Sequence, residues 1–211
     1  MSSSPSVCGA WLHYEGRVLV TSRLARVLWL QGKADQARLM AEANVEDART
    51  LGRSLSICLA LGEAACPNHA GFVADLAEGL ANAGRVEEAR AIVDEALARS
   101  NSSGVGWHVA ELLRLGGELQ LGRTGGPASP EGMRLLRSSL QIARRQGALF
   151  WELRTAVALA RTAACDGDDR QAGHLLRNVY DRVTEGFETP DAAAAKDLLA
   201  AIPGRRCGAE C

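Results

Sequence analysis

Three stretches of this chain repeat one spacing of small and apolar residues around a glycine, and that spacing limits the available folds more than any other feature. In LANAGRVEEARAIVDEAL (80–97), Gly84 is preceded by Leu76, Ala77 and Leu80 at −8, −7 and −4, and followed by Ala89, Val93 and Ala96 at +5, +9 and +12. An earlier copy, LWLQGKADQARLMAEA (28–43), has Leu24, Ala25 and Leu28 before Gly32 and Ala37 and Ala41 after it. A later copy, AACDGDDRQAGHLLRNV (163–179), has Leu159, Ala160 and Ala163 before Gly167, then Ala172, Leu176 and Val179. Apolar residues three and four apart put one buried stripe on a helix. A glycine between two such stripes ends the first helix in a left-handed conformation and turns the chain. The small residue at +5 lets the second helix press against the first. A single hairpin of this kind cannot cover its own apolar face, so successive hairpins must pack on one another.

A fourth, divergent unit follows the same logic. WHVAELLRLGGELQL (107–121) and PEGMRLLRSSLQIARRQG (130–147) read as its two helices, with Ser129 as N-cap and Pro130 in the first turn. GRTGGPAS (122–129) replaces the tight glycine turn with a loop. The slots at Ala96, Ser139 and Val179 recur about every 40 residues, longer than the 34 of the commonest such repeat. RSLSICLALGEAAC (53–66) reads as one further first-type helix, PNHAG (67–71) as a breaker, and TPDAAAAKDLLAAI (189–202) as a capping helix opened by Thr189-Pro190. The expected fold is all-α: a right-handed helical-hairpin solenoid of about ten helices. Its repeat domain spans 17–202, with a junction at 67–71, between a loose segment 1–16 and a loose tail 203–211.

The Leu/Ala/Gly/Ala spacing resembles the tetratricopeptide repeat. The stretch from Arg144 to Leu199, and within it QGALFWELR and VYDRVTEGFETPD most of all, resembles the C-terminal helical-repeat tail of large multidomain bacterial signalling ATPases. In that family a cyclase or winged-helix DNA-binding module and a nucleotide-switch ATPase precede the repeats; RLARVLWLQGKADQA (23–37) and WHVAELLRLGGELQL resemble other parts of the same tail. The resemblance implies a part in signal transduction or transcription regulation. Two departures stand out: Gly132 occupies a slot where the family carries alanine, and about one hairpin is missing near 66–71. An independent adaptor and a truncated remnant of a larger regulator both fit that pattern.

Composition excludes several alternatives. A net charge of −1 over 211 residues gives no strong electrostatic hold on nucleic acid or anionic lipid. No apolar run is long enough to span a bilayer, and six cysteines scattered without a CxxC pair suit a reducing, cytoplasmic setting. Catalytic, cofactor and metal sites are all expected to be absent. LGRTGGPASPEG lacks the lysine of a phosphate loop. Cys66 and His69 have no second ligand pair, and Cys207 and Cys211 flank a helix-disfavouring glycine. His13, His69, His108 and His174 show no nucleophile partnered to a base, with His108 and His174 read as rim residues.

The function expected is therefore a non-enzymatic interaction module that holds a protein or peptide in a concave groove, with small-molecule sensing as the alternative. First helices of stacked hairpins line such a groove. Polar residues off the apolar stripe of those helices are the candidate contacts: Ser22, Arg26 and Trp29 early, Glu78 and Asn82 in the middle, Arg114 and Glu118 on the divergent unit, and Arg161 late. Trp151 reads as packing rather than contact. Uncovered apolar edges on the end helices would allow a second copy to bind.

Overall fold

A computed structural model describes residues 7–50, 69–103, 106, 108–122, 129–166 and 169–202. Every regular element among them is an α-helix, nine in all: α1 (Val7–Leu30), α2 (Ala34–Thr50), α3 (His69–Asn82), α4 (Val86–Ser103), α5 (Val109–Gly122), α6 (Pro130–Gln146), α7 (Leu149–Asp166), α8 (Asp169–Tyr180) and α9 (Pro190–Ala201). The chain divides into two compact units, Met1–Phe72 and Val73–Cys211. None of the helices is long and apolar enough to cross a membrane.

The turns follow directly from the repeated glycines. Gly32 and Gly84 have φ of 85° and 77°. In each turn the glycine N–H donates to the carbonyl three residues back, Trp29 or Ala81, at 2.9 and 3.0 Å. The next N–H, of Lys33 or Arg85, donates five residues back, to Leu28 or Leu80, at 2.9 and 2.8 Å. This pair of bonds satisfies carbonyls that the helix end would otherwise leave open, and it requires the left-handed residue. The recurrent leucine at −4 is thus the residue that accepts the outer bond. Gly147 makes the same turn between α6 and α7, with φ 64° and bonds to Arg144 and Ala143. Gly167, and the helix expected over 53–66, lie outside the described residues.

Helix starts match their sequence signals. Ser129 caps α6, its hydroxyl accepting from Gly132 N–H, and Thr189 caps α9 in the same way through Ala192 N–H, each with proline in the first turn. Two boundaries are corrected. α1 begins at Val7, so helix replaces much of the segment 1–16 expected to be loose. Gly9 and Gly16 cost a helix about 1 kcal/mol each relative to alanine without ending it. Likewise α3 begins at His69, so 69–71 of the expected breaker is helix, and only 67–68 lies outside the described residues.

In the first unit α1 packs along α2. Val18, Ser22 and Ala25, at i, i+4 and i+7, form the buried side of α1. Ser22, expected to face a groove, is therefore corrected to a core position. Its hydroxyl donates to Val18 O at 2.9 Å and accepts from Asn44 Nδ2 of α2 at 2.8 Å. The apolar stripe is rotated by about one residue from the sequence assignment: Leu24 is exposed, as are Val20 and Val27.

In the second unit, Ala77 and Leu80 of α3, Ala89, Val93 and Ala96 of α4, and Leu112, Leu115 and Leu119 of α5 share one core. Leu76, assigned to the −8 slot, is exposed, whereas Ala77 at −7 is fully buried. Leu136 and Leu140 of α6 join Ala158 and Leu159 of α7 in a second cluster. Ser139, in the slot where other copies carry Ala96 or Val179, is also fully buried. Its hydroxyl donates to Ala110 O of α5 at 2.7 Å and meets Thr155 Oγ1 of α7 at 2.9 Å, so one polar side chain ties three helices. α7 carries the longest buried run, with Trp151 at 6% exposure inside it, and packs against α5, α6, α8 and α9. The link VYDRVTEGFETPD folds over itself through an edge-on contact of Tyr180 and Phe187 at 6.2 Å.

Candidate functional site

Helices α3, α5, α7 and α9, with Val86 at the start of α4, line one pocket of about 450 Å3 in the second unit. Its apolar lining includes Ala77, Ala81, Val86, Leu119 and Val157. Interleaved with these are the polar side chains of Glu78, Asn82, Arg114, Glu118, Arg154, Arg161 and Asp191.

Arg114 is the hub. Its guanidinium donates four hydrogen bonds: Nε to Glu111 at 3.0 Å, Nη1 to Glu118 at 2.6 Å, and Nη2 to Glu111 at 2.8 Å and Glu78 at 2.5 Å. Arg154 of α7 reaches the same acids, through Nη1 to Glu111 at 2.5 Å and Nη2 to Glu78 at 2.7 Å. Its Nε stands 3.4 Å from Asp191 of α9. Glu78 and Glu111 thus each bridge two arginines, and the network joins four helices. The planar fork of arginine suits this role because it offers several fixed donors at once.

Burial makes the arrangement demanding. The side chains of Arg114 and Glu111 are 5% and 6% exposed, whereas Glu78, Glu118 and Asp191 are open to the pocket. Burial alone would push the Glu111 carboxyl up; Arg114 and Arg154 outweigh it and hold the group below the ordinary carboxylate range. The same balance favours charge on Arg114: desolvation opposes it, Glu111, Glu118 and Glu78 override, and its pKa is raised. Asp191 goes the other way. Burial pushes its carboxyl up, Arg154 opposes, and the Glu111 carboxylate adds to the rise.

These directions have opposite consequences for stability. The depressed Glu111 contributes stability above its unfolded pKa that is lost as pH falls through its folded value. The raised Asp191 contributes stability only below its unfolded pKa, about 3.9, and loses it as pH rises through the folded value. Ionised Asp191 therefore costs the fold at neutral pH. Asp191→Asn is expected to raise the thermal midpoint at pH 7, with the gain shrinking as pH falls toward 4. Melting curves across that range check this, and a lowered midpoint at pH 7 would contradict it.

Five of the eight residues expected from spacing line this pocket: Glu78, Asn82, Arg114, Glu118 and Arg161. Arg114 differs in character from the expectation: it is buried and ion-paired rather than outward-facing. Ser22, Arg26 and Trp29 belong to the first unit and are not among the lining residues; Arg26 and Trp29 are half-buried there. His108, expected at a rim, is buried at 9%, because the first turn of α5 tucks against the core; His174 is exposed. Three participants were not anticipated, Glu111, Arg154 and Asp191. A signal existed for the first: Glu111, Arg114 and Glu118 stand at i, i+3 and i+7 in a helix whose one other polar side chain is Gln120, the spacing of an ion-paired face. A second buried acid, Glu152, is held by Arg144 at 2.8 Å and Arg182 at 2.7 Å. Among the described residues no group of three or more His, Cys, Asp or Glu side chains is placed to hold a metal ion.

No family model, curated protein or solved structure matches this chain.

Proposed function

We propose that this protein is a non-enzymatic binding module of the tetratricopeptide type whose pocket forms part of a groove for an extended segment of a partner protein. The observation that carries this reading is that α3, α5, α7 and α9, the first helices of successive pairs and the helix that follows the last pair, all contribute to a single pocket. Stacked hairpins arrange first helices along a concave side in this way, and such grooves take up extended or helical peptides. The left-handed glycine turns and the recurrent buried slots at Ala77, Ala89 and Ala160 support the repeat reading. The resemblance of 144–199 to the repeat tail of bacterial signalling ATPases supports a regulatory setting. One observation favours a second reading, small-molecule sensing: a volume near 450 Å3 lies in the range of ligand pockets.

Selection from a displayed random-peptide library against the full chain tests the first reading. Enriched peptides are expected to bind the purified protein, and Asn82→Trp is expected to weaken them by about tenfold or more, a loss of about 1.4 kcal/mol. Asn82 is exposed at the rim, so an indole there fills the groove without entering the core. Failure to enrich any peptide, or binding indifferent to Asn82→Trp, would overturn it. Thermal shifts against a metabolite collection test the second reading, and a uniformly flat response would overturn that one.

A further inference from the structure

Helix α1 is apolar on two opposite sides. Val18, Ser22 and Ala25 are buried on the side that packs along α2, where Ser22 meets Asn44. About half a turn round the helix, Val20, Leu24 and Val27 are 66%, 47% and 46% exposed and stand four and three apart in one stripe. A helix that is apolar all round is normally covered all round. Of the seven large hydrophobic side chains exposed among the described residues, four lie on α1 and a fifth, Leu39, on α2, so the exposure is concentrated on one hairpin. Leu39 and the exposed Ala43 form a short strip on the side of α2 turned away from its buried Ala34, Ala37, Asn44 and Ala48.

The two outer faces carry opposite charge. α1 has a single acid, Glu15; from Arg17 to Lys33 follow four cations and no acid, with Arg17 and Arg23 on either side of the stripe. From Ala34 to Thr50 four acids stand against two arginines, and Glu42 and Glu46 border the strip of Leu39 and Ala43. The pairs Arg17–Asp47, Arg38–Glu42 and Arg49–Glu46 join side chains that are all more than half exposed. Pairs so exposed are weak, and their members can exchange partners across a contact. An α1 laid on a second α1 would set cation against cation, whereas the outer face of α2 supplies the opposite sign. We propose that copies of this chain associate head to tail, the Val20, Leu24 and Val27 stripe of one copy lying on the Leu39 and Ala43 strip of the next. The two faces are different surfaces of one chain, so the contact continues past a dimer unless it closes into a ring. It lies in the first unit and does not depend on the groove reading above.

Sedimentation velocity of the full chain over rising concentration tests this. The wild type is expected to form species larger than a dimer, and raising the salt is expected to weaken them. Val20→Asp blocks the α1 face and Leu39→Lys the α2 face, at the most exposed apolar position of each helix. Each variant alone is expected to keep the helical circular dichroism of the wild type and to associate about tenfold or more weakly. Mixed in equal amounts, the two variants still hold one intact face of each kind and are expected to form a dimer and nothing larger. A wild type that stays monomeric at every concentration would overturn the proposal. A wild type that stops at a dimer, lost in Val20→Asp and kept in Leu39→Lys, would overturn it in favour of α1 on α1. A mixture that stays monomeric would overturn it as well.

Discussion

Replacing Arg114 by alanine is expected to destabilise the second unit by about 3–5 kcal/mol. Glu111 would be left with its side chain 6% exposed and one of its two cationic partners gone. The loss comes mainly from that stranded carboxylate, not from the ion pair as such. A buried pair exchanged for apolar groups of similar volume is often close to neutral. The double change Arg114→Met, Glu111→Leu is therefore expected to be more stable than Arg114→Met alone, even though it removes more charge. Urea unfolding followed by circular dichroism measures both. With native stabilities of about 5–15 kcal/mol, the single change removes a large share of the total. Tolerance of Arg114→Ala within about 1 kcal/mol would mean that Arg114 and Glu111 are not buried together.

The second large effect is expected where α5 crosses α6. A methyl group on Gly117 would stand 2.8 Å from Leu136 Cγ and 3.0 Å from the Gly132 carbonyl. One on Gly132 would stand 2.9 Å from Leu121 Cγ and 3.0 Å from the Gly117 carbonyl. Each glycine makes room for the other's backbone, so this crossing is closer than side chains would permit. Gly117→Val is expected to cost about 1–3 kcal/mol through overpacking. The adjacent Gly116 provides the contrast. A methyl there meets only Leu135 and Val93, both at 3.6 Å, an ordinary contact. Gly116→Ala is expected to gain up to about 1 kcal/mol from helix propensity. Denaturation midpoints of the two variants should move in opposite directions, and parallel shifts would show that α5 and α6 do not meet at Gly117. The same close approach favours glycine at 132.

Local signals were the legible ones. Gly32 and Gly84 mark turns because the left-handed conformation is set within a few residues, and the leucine four positions earlier belongs to the same motif. Ser129 and Thr189 were readable as caps for the same reason. Burial was read less well. In α1 the buried face is Val18, Ser22 and Ala25, so a polar residue taken as outward is core and Leu24 is exposed. Spacing gives the period of a stripe but not which of two adjacent rotations meets the neighbouring helix. The pocket was half-legible: off-stripe positions on first helices found Glu78, Asn82, Glu118 and Arg161. Arg154 and Asp191 were missed because their partners lie on other helices; Arg154 and Glu78 are 76 positions apart. Pairings of that kind follow from packing, which no local pattern records.

The central claim is that α3, α5 and α7 are locked around one ion-paired pocket, and a double-mutant cycle between Glu78 and Arg154 tests it most directly. Unfolding free energies of Glu78→Gln, Arg154→Gln and the double variant should give a coupling of about 0.5–3 kcal/mol, as expected for residues in one hydrogen-bonded network. A coupling indistinguishable from zero would place the two side chains apart and contradict the pocket as described.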